Sequence, residues 1–151
     1  MKYLKLFAVI VLIFTIGIIY SEYKQETTNV FKGGDDFTAH VNNERAIRDL
    51  EPVKDSAELK YIAEAKCADM VKRAYTAHKD PDGKFIWDKA PQGYKYGENL
   101  AGGYDNSYET MQNWIASPEH LANIIDPAFD EVGHATCYNG TEYLNVQVFR
   151  S

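Results

Sequence analysis

The sequence predicts an α+β fold, on three observations. Leu59, Ile62, Ala63, Cys67, Met70, Val71 and Ala74 recur at helical spacing and mark one long amphipathic helix. Two shorter segments open on helix-start signals, Asn106-Ser107-Tyr108-Glu109 and Ser117-Pro118-Glu119. Near the C-terminus, two strand-like runs flank Asn139-Gly140, a dipeptide suited to a two-residue hairpin turn. Helices in one part and a hairpin in another favour α+β over a repeating βαβ plan. At 151 residues the chain is long enough for one domain and little more.

Residues 1–20 read as a signal-anchor or signal peptide and predict a hydrophobic helix ahead of the domain. Lys2 and Lys5 form a basic head; Leu6 to Tyr20 is apolar apart from Thr15 and Gly17. With Tyr3 and Leu4 added and the lysines snorkelling, residues 3–20 come near bilayer length. Ile18, Ile19 and Tyr20 are poor substitutes for the small residues of a cleavage site. That favours an uncleaved anchor, N-terminus inside, over a cleaved peptide. Either route delivers the domain out of the cytoplasm, and the anchor makes the membrane a partner. Residues 21–35 are polar, include Gly33-Gly34, and read as a tether to a domain over 36–151. Beyond residue 20 the chain has 14 basic against 22 acidic side chains, a net −8. This excludes a general nucleic-acid binder and argues against electrostatic attachment to anionic lipid.

Within the domain, Asp35 and Asp36 can cap a helix running to about Leu50, which Glu51-Pro52 ends. Asp55-Ser56-Ala57-Glu58 is a capping pattern that opens the long helix, Ser56 to about Thr76. His78 falls just beyond its end. Asp80-Pro81-Asp82-Gly83 signals a turn, and Phe85 to Lys89 a short helix. Gly93 begins a loop through Gly97-Glu98-Asn99-Leu100. Tyr108, Met111, Trp114 and Ile115 form one apolar stripe, so Trp114 reads as core. Ser117 is the predicted N-cap of the next helix, Pro118 its first residue, and Asp126-Pro127 its end.

Strands are expected over Glu131–Tyr138 and Thr141–Phe149. Pairing Tyr138 with Thr141 sets Cys137 opposite Glu142, Ala135 opposite Leu144 and Gly133 opposite Val146 on a largely apolar face. Val132, His134 and Thr136 share the other face with Tyr143, Asn145 and Gln147. Cys67 and Cys137 are the two cysteines, each on an apolar face. One disulfide or two buried thiols are both compatible with that placement.

Taken in order, Thr76-Ala77-His78, Gly97-Glu98-Asn99-Leu100, Trp114 and Ser117-Pro118-Glu119-His120-Leu121-Ala122-Asn123-Ile124 resemble the CAP superfamily, or SCP domain. This is the family of cysteine-rich secretory proteins, venom antigens and pathogenesis-related proteins; the likeness is to short bacterial, extracytoplasmic members. It spans about Phe37 to Phe149. The helix His40-Val41-Asn42-Asn43-Glu44-Arg45 is similar to the family's opening helix, with its Asn-x-x-Arg pattern. The resemblance implies an α-β-α sandwich with a small, mostly antiparallel sheet between helical layers.

It also implies a cleft lined by two histidines and acidic residues, which takes a divalent metal in several members. His78, Glu98 and His120 transfer by motif. The fourth position does not: eukaryotic members often place a glutamate where Ser117 stands. Glu119 and Glu131 are nearby acidic substitutes. Two imidazoles and a carboxylate suit an open divalent site, zinc for example, or a histidine base oriented by Glu98. Hydrogen bonds that merely brace loops are the alternative. Gly-x-Ser-x-Gly and His-Glu-x-x-His are absent, so no nucleophile or second metal motif accompanies them. The leading expectation is a non-enzymatic module binding an extracytoplasmic ligand through His78, Glu98, His120 and Glu119. A metal-dependent hydrolase acting on extracellular or envelope peptides and a lipid or sterol carrier are the alternatives. His40 and His134 are placed in the cleft by no motif.

Overall fold

The computed structural model describes residues 36–151. The expected anchor over 1–20 and tether over 21–35 lie outside the described residues. Among those described, no helix is long and apolar enough to cross a membrane.

Helix α1 (Phe37–Ala46) is capped by Asp36, whose carboxylate accepts from the Ala39 amide. A two-residue strand β1 (Lys54–Asp55) leads into α2 (Ala57–Arg73), capped by Ser56. A 3-10 turn (Ile86–Lys89) precedes β2 (Tyr96–Gly102). Helices α3 (Ser107–Ala116) and α4 (Pro118–Ile124) follow, then β3 (Glu131–Tyr138) and β4 (Tyr143–Arg150). The strands form one sheet in the order β1-β3-β4-β2. Only the short β1–β3 pair is parallel.

Each face of the sheet carries its own core. On one, Leu59, Ala63, Cys67 and Met70 of α2 pack on Ala135, Cys137, Leu144, Val146 and Val148. On the other, Phe37 and Val41 of α1, Met111 and Trp114 of α3 and Ile124 of α4 pack on Val132 and Phe149. The result is a mixed α+β fold with helices on both sides of a small sheet. Cys67 and Cys137 form a disulfide that ties α2 to β3, with Cα atoms 5.9 Å apart. Gly133 sits beneath the start of α2; a Cβ there would lie 2.1 Å from the Leu59 carbonyl carbon and the Lys60 nitrogen.

Several expectations shift. α1 stops at Ala46 rather than Leu50, because residues 47–49 form a turn and Asp49 takes a φ of 57°. α2 ends at Arg73 rather than Thr76, since Ala74 adopts the left-handed C-cap conformation. The segment around Gly97-Glu98-Asn99 is not a loop but β2, paired with β4 along its whole length. The hairpin register is two residues longer than expected, with Tyr138 opposite Tyr143, Cys137 opposite Leu144 and Ala135 opposite Val146. Asn139 causes this: its Oδ1 accepts from the Thr141 and Glu142 amides, closing a four-residue turn. A shift of two leaves every side chain on its expected face. Ser117 occupies the N-cap of α4 but makes no side-chain capping bond; Pro118 is at the first turn as expected.

Candidate functional site

The site is built on the edge strand β2. Glu98 points its carboxylate to the α2 side, where it is buried. Its Oε1 lies 2.7 Å from His78 Nδ1, across a loop that begins where α2 ends. The glutamate side chain is 1% exposed and the imidazole 52%, so a buried carboxylate orients a solvent-facing ring. This bond is the main cause that raises the His78 pKa above its ordinary value; partial burial and Lys66 oppose it. With Nδ1 engaged, Nε2 is the His78 nitrogen open to a ligand.

Lys66 holds the same loop from below. It is 1% exposed, and its Nζ donates to the His78 carbonyl at 2.7 Å. Burial lowers its pKa, while Glu98, Asp69 and Asp80 act the other way. No motif singles out Lys66, yet its spacing carries a signal. Ile62, Lys66 and Met70 are successive i, i+4 positions on the apolar face of α2.

His120 enters from the first turn of α4. Its carbonyl accepts from Asn99 Nδ2 at 3.1 Å. Asn123 Nδ2 donates both to the Glu98 carbonyl at 3.0 Å and to Asn99 Oδ1 at 2.9 Å. Gly97 permits this close approach of α4 to β2: a Cβ there would lie 2.9 Å from Asn123 Oδ1 and 2.8 Å from the Phe129 ring. Burial lowers the His120 pKa, and the charge of His78 lowers it further. His78, Glu98 and His120 therefore share one electrostatic neighbourhood. Glu119 is exposed and acts on both imidazoles through its charge, raising each pKa.

The remaining candidates fall elsewhere. Glu131 binds Arg150, whose Nε is 2.8 Å from its Oε2, so it is no substitute acid for the cleft. His40 lies with its ring 6.1 Å from Tyr108, on α1. His134 is on β3, stacked on Phe37 at 3.3 Å, where burial pushes its pKa down to about 3. A cavity of about 290 Å³ shares Lys66 with the site but is lined by Asp69, Arg73, Tyr75, Asp80 and Phe85. It includes neither histidine nor Glu98.

The donor set decides what the arrangement can hold. Glu98 Oε1 is engaged, and its Oε2 is buried without a partner among the described residues. Those residues gather no cage of three His, Cys, Asp or Glu side chains for a cation. The two imidazoles with an orienting carboxylate fit an open site that a ligand completes, not a closed structural zinc site. Within this set, the Glu98 carboxylate accepts from His78 Nδ1–H.

Comparison with known proteins bears on the fold and the family. A curated relative, the uncharacterized protein YkwD of Bacillus subtilis (strain 168), is 32% identical over 97 residues, covering 62% of this chain. The match spans 38% of that relative's length. An outer surface protein of Borrelia burgdorferi superposes with a TM-score of 0.68 at 18% identity, over 76% of this chain and 88% of that one. The structure of NaASP2 with Zn2+ gives 0.57 at 11% identity, over 75% and 76%. The family model for cysteine-rich secretory proteins matches residues 38–149, and the chain belongs to that CAP family.

Proposed function

We propose that this domain is a ligand-binding module that works outside the cytoplasm, with its ligand held by His78 and His120. The observation that carries the reading is the 2.7 Å bond between buried Glu98 and exposed His78. A buried carboxylate fixing a solvent-facing imidazole gives that ring an orientation that a loop brace does not need. A disulfide supports an oxidising compartment, as does similarity to an outer surface protein. Residues 3–20 would supply the membrane anchor.

A divalent cation is a second reading, favoured by the two imidazoles and by the zinc in the NaASP2 structure. His78 and His120 would hold the ion, and Glu98 would fix the ring of His78 through Nδ1. Such an ion supplies Lewis acidity to whatever oxygen completes its shell. Calorimetric titration of the purified domain with zinc, near neutral pH, tests this reading. Binding lost in both His78→Ala and His120→Ala is the expected result. Binding that survives either substitution refutes the cation reading and leaves a metal-free ligand cleft.

A further inference from the structure

Behind the cleft, four buried side-chain atoms have no hydrogen-bond partner among the described residues: Trp114 Nε1, His120 Nδ1, His134 Nδ1 and Gln147 Nε2. They belong to one layer between the sheet and helices α3 and α4. Trp114 lies 6.5 Å from the His120 ring and 6.1 Å from the His134 ring, centroid to centroid. His134 and Gln147 are cross-strand partners. Gln147 and His120 share a donor, since Asn99 Nδ2 bonds both Gln147 Oε1 and the His120 carbonyl.

The polarity of each atom follows from its neighbours. Asn145 Nδ2 donates to the Tyr104 carbonyl, so its Oδ1 is the acceptor for the Thr136 hydroxyl proton. With that proton used, Thr136 Oγ1 can only accept from His134 Nε2, 3.2 Å away. His134 is therefore the Nε2–H tautomer, and its Nδ1 is a bare acceptor. The neutral form agrees with its pKa near 3. A second chain runs from the Glu98 carbonyl through Asn123 and Asn99 to Gln147 Oε1. It fixes the Gln147 amide, whose Nε2 is left a donor. Trp114 Nε1 is always a donor. Two hydrogen-bonded chains thus end side by side, one on a donor and one on an acceptor, beside an indole N–H.

We propose that these four atoms are the walls of a buried water site that sets the tautomer of His120. Water has two lone pairs and two protons. Trp114 Nε1–H and Gln147 Nε2–H fill the lone pairs, and the protons go to His134 Nδ1 and His120 Nδ1. A buried water of this kind makes two to four hydrogen bonds to polar groups that would otherwise go unsatisfied, so four such atoms together strongly favour occupancy. His120 is then held as the Nε2–H form, with Nε2 presented to the cleft as a donor. His134, picked out by no motif, becomes a positioning residue for His120. This rests on the reading of His120 as a ligand-facing residue. It also opposes the cation reading: an ion on Nε2 would put the proton on Nδ1 and leave three donors facing the two lone pairs of the water.

The test uses the metal-free protein with 15N-labelled histidine, above the histidine titration range. Long-range proton–nitrogen spectra should show both His120 and His134 protonated on Nε2, with each Nδ1 shifted from the position of an unbonded ring nitrogen. Trp114 Nε1–H should give a cross-peak to a long-lived water. In Trp114→Phe one water lone pair is freed, so His120 should become a mixture of tautomers and the Nδ1 shift should fall. A proton on His120 Nδ1 in the wild type, or no water contact at Trp114, overturns the proposal. The wild-type spectra decide this even if the variant fails to fold. Zinc titration is read separately, so failure of the cation reading leaves the buried site standing.

Discussion

Lys66 Nζ donates to the carbonyl oxygen of His78 at 2.7 Å, so a cation buried in α2 sets the backbone of the loop that presents the imidazole. The same ammonium opposes protonation of His78. Lys66→Met keeps the length of the stem and removes both effects. The His78 pKa should rise further, measured by following its ring protons against pH. Stability to urea should fall by about 1–3 kcal/mol, because the bond is lost and Glu98 loses its interaction with the Lys66 charge. An unchanged His78 titration would remove Lys66 from the account of the site.

The pH dependence of stability has two components of opposite sign. His134 has its pKa depressed to about 3, against about 6.5 when unfolded. Its contribution is complete above about 6.5 and is lost as pH falls toward 3, by up to about 1.4 kcal/mol per pH unit. His120 is shifted the same way, by burial. His78 is raised, so its contribution is present below about 6.5 and lost as pH rises through its elevated value. Urea denaturation of the wild type should therefore show weakening as pH falls from about 6.5 toward about 4. His134→Phe should flatten that limb while retaining the stack on Phe37.

Gly133→Ala places a methyl 2.1 Å from the backbone of Leu59 and Lys60. Backbone at a helix start cannot give way as a flexible side chain can, so α2 must lift from β3. The expected loss exceeds about 3 kcal/mol, the upper end of ordinary overpacking. Thermal denaturation by circular dichroism would show it; a variant as stable as the wild type would contradict the close packing of α2 on β3.

The disulfide closes a loop of seventy residues, and in the chain-entropy model such a link contributes about 4 kcal/mol. Reduction should lower the melting temperature of the wild type. It should leave a Cys67→Ala/Cys137→Ala variant unchanged. Two thiols titrating in unfolded, unreduced protein would contradict the bond.

What the sequence makes legible follows from how local each signal is. α2 is readable because its cap, apolar stripe and final basic residues all lie within the helix. The two faces of the hairpin are readable because side-chain period survives a register error of two; the register is not, because it hangs on one side chain, Asn139. β2 reads as a loop, since Tyr96-Gly97-Glu98-Asn99 lacks both alternation and β-branched residues, and its pairing comes wholly from β4. His78, Glu98 and His120 enter the candidate site through motifs. Lys66 carries only its spacing as a signal, on the apolar face of α2 with Ile62 and Met70, and its carbonyl partner twelve residues away is seen only in the fold. The tautomer of His134 needs Thr136, Asn145 and Tyr104 together, and no spacing rule links them.

Arg45 has consequences for how the domain bears force. From α1 it donates to the carbonyls of Glu51, Ile124, Asp126 and Phe129. Asn42 adds a two-way amide clasp to Val53. Any pull arriving through the chain before Asp36 enters the domain at α1, and these bonds with Phe37 and Val41 must resist it first. The covalent link begins only at Cys67, beyond α1 and β1. Under tension α1 would be loaded before the disulfide, and its departure would withdraw Phe37 from the His134 ring and the Arg45 bonds from the end of α4. A pull on α1 would thus be felt on the His120 side of the cleft before it reaches the covalent link.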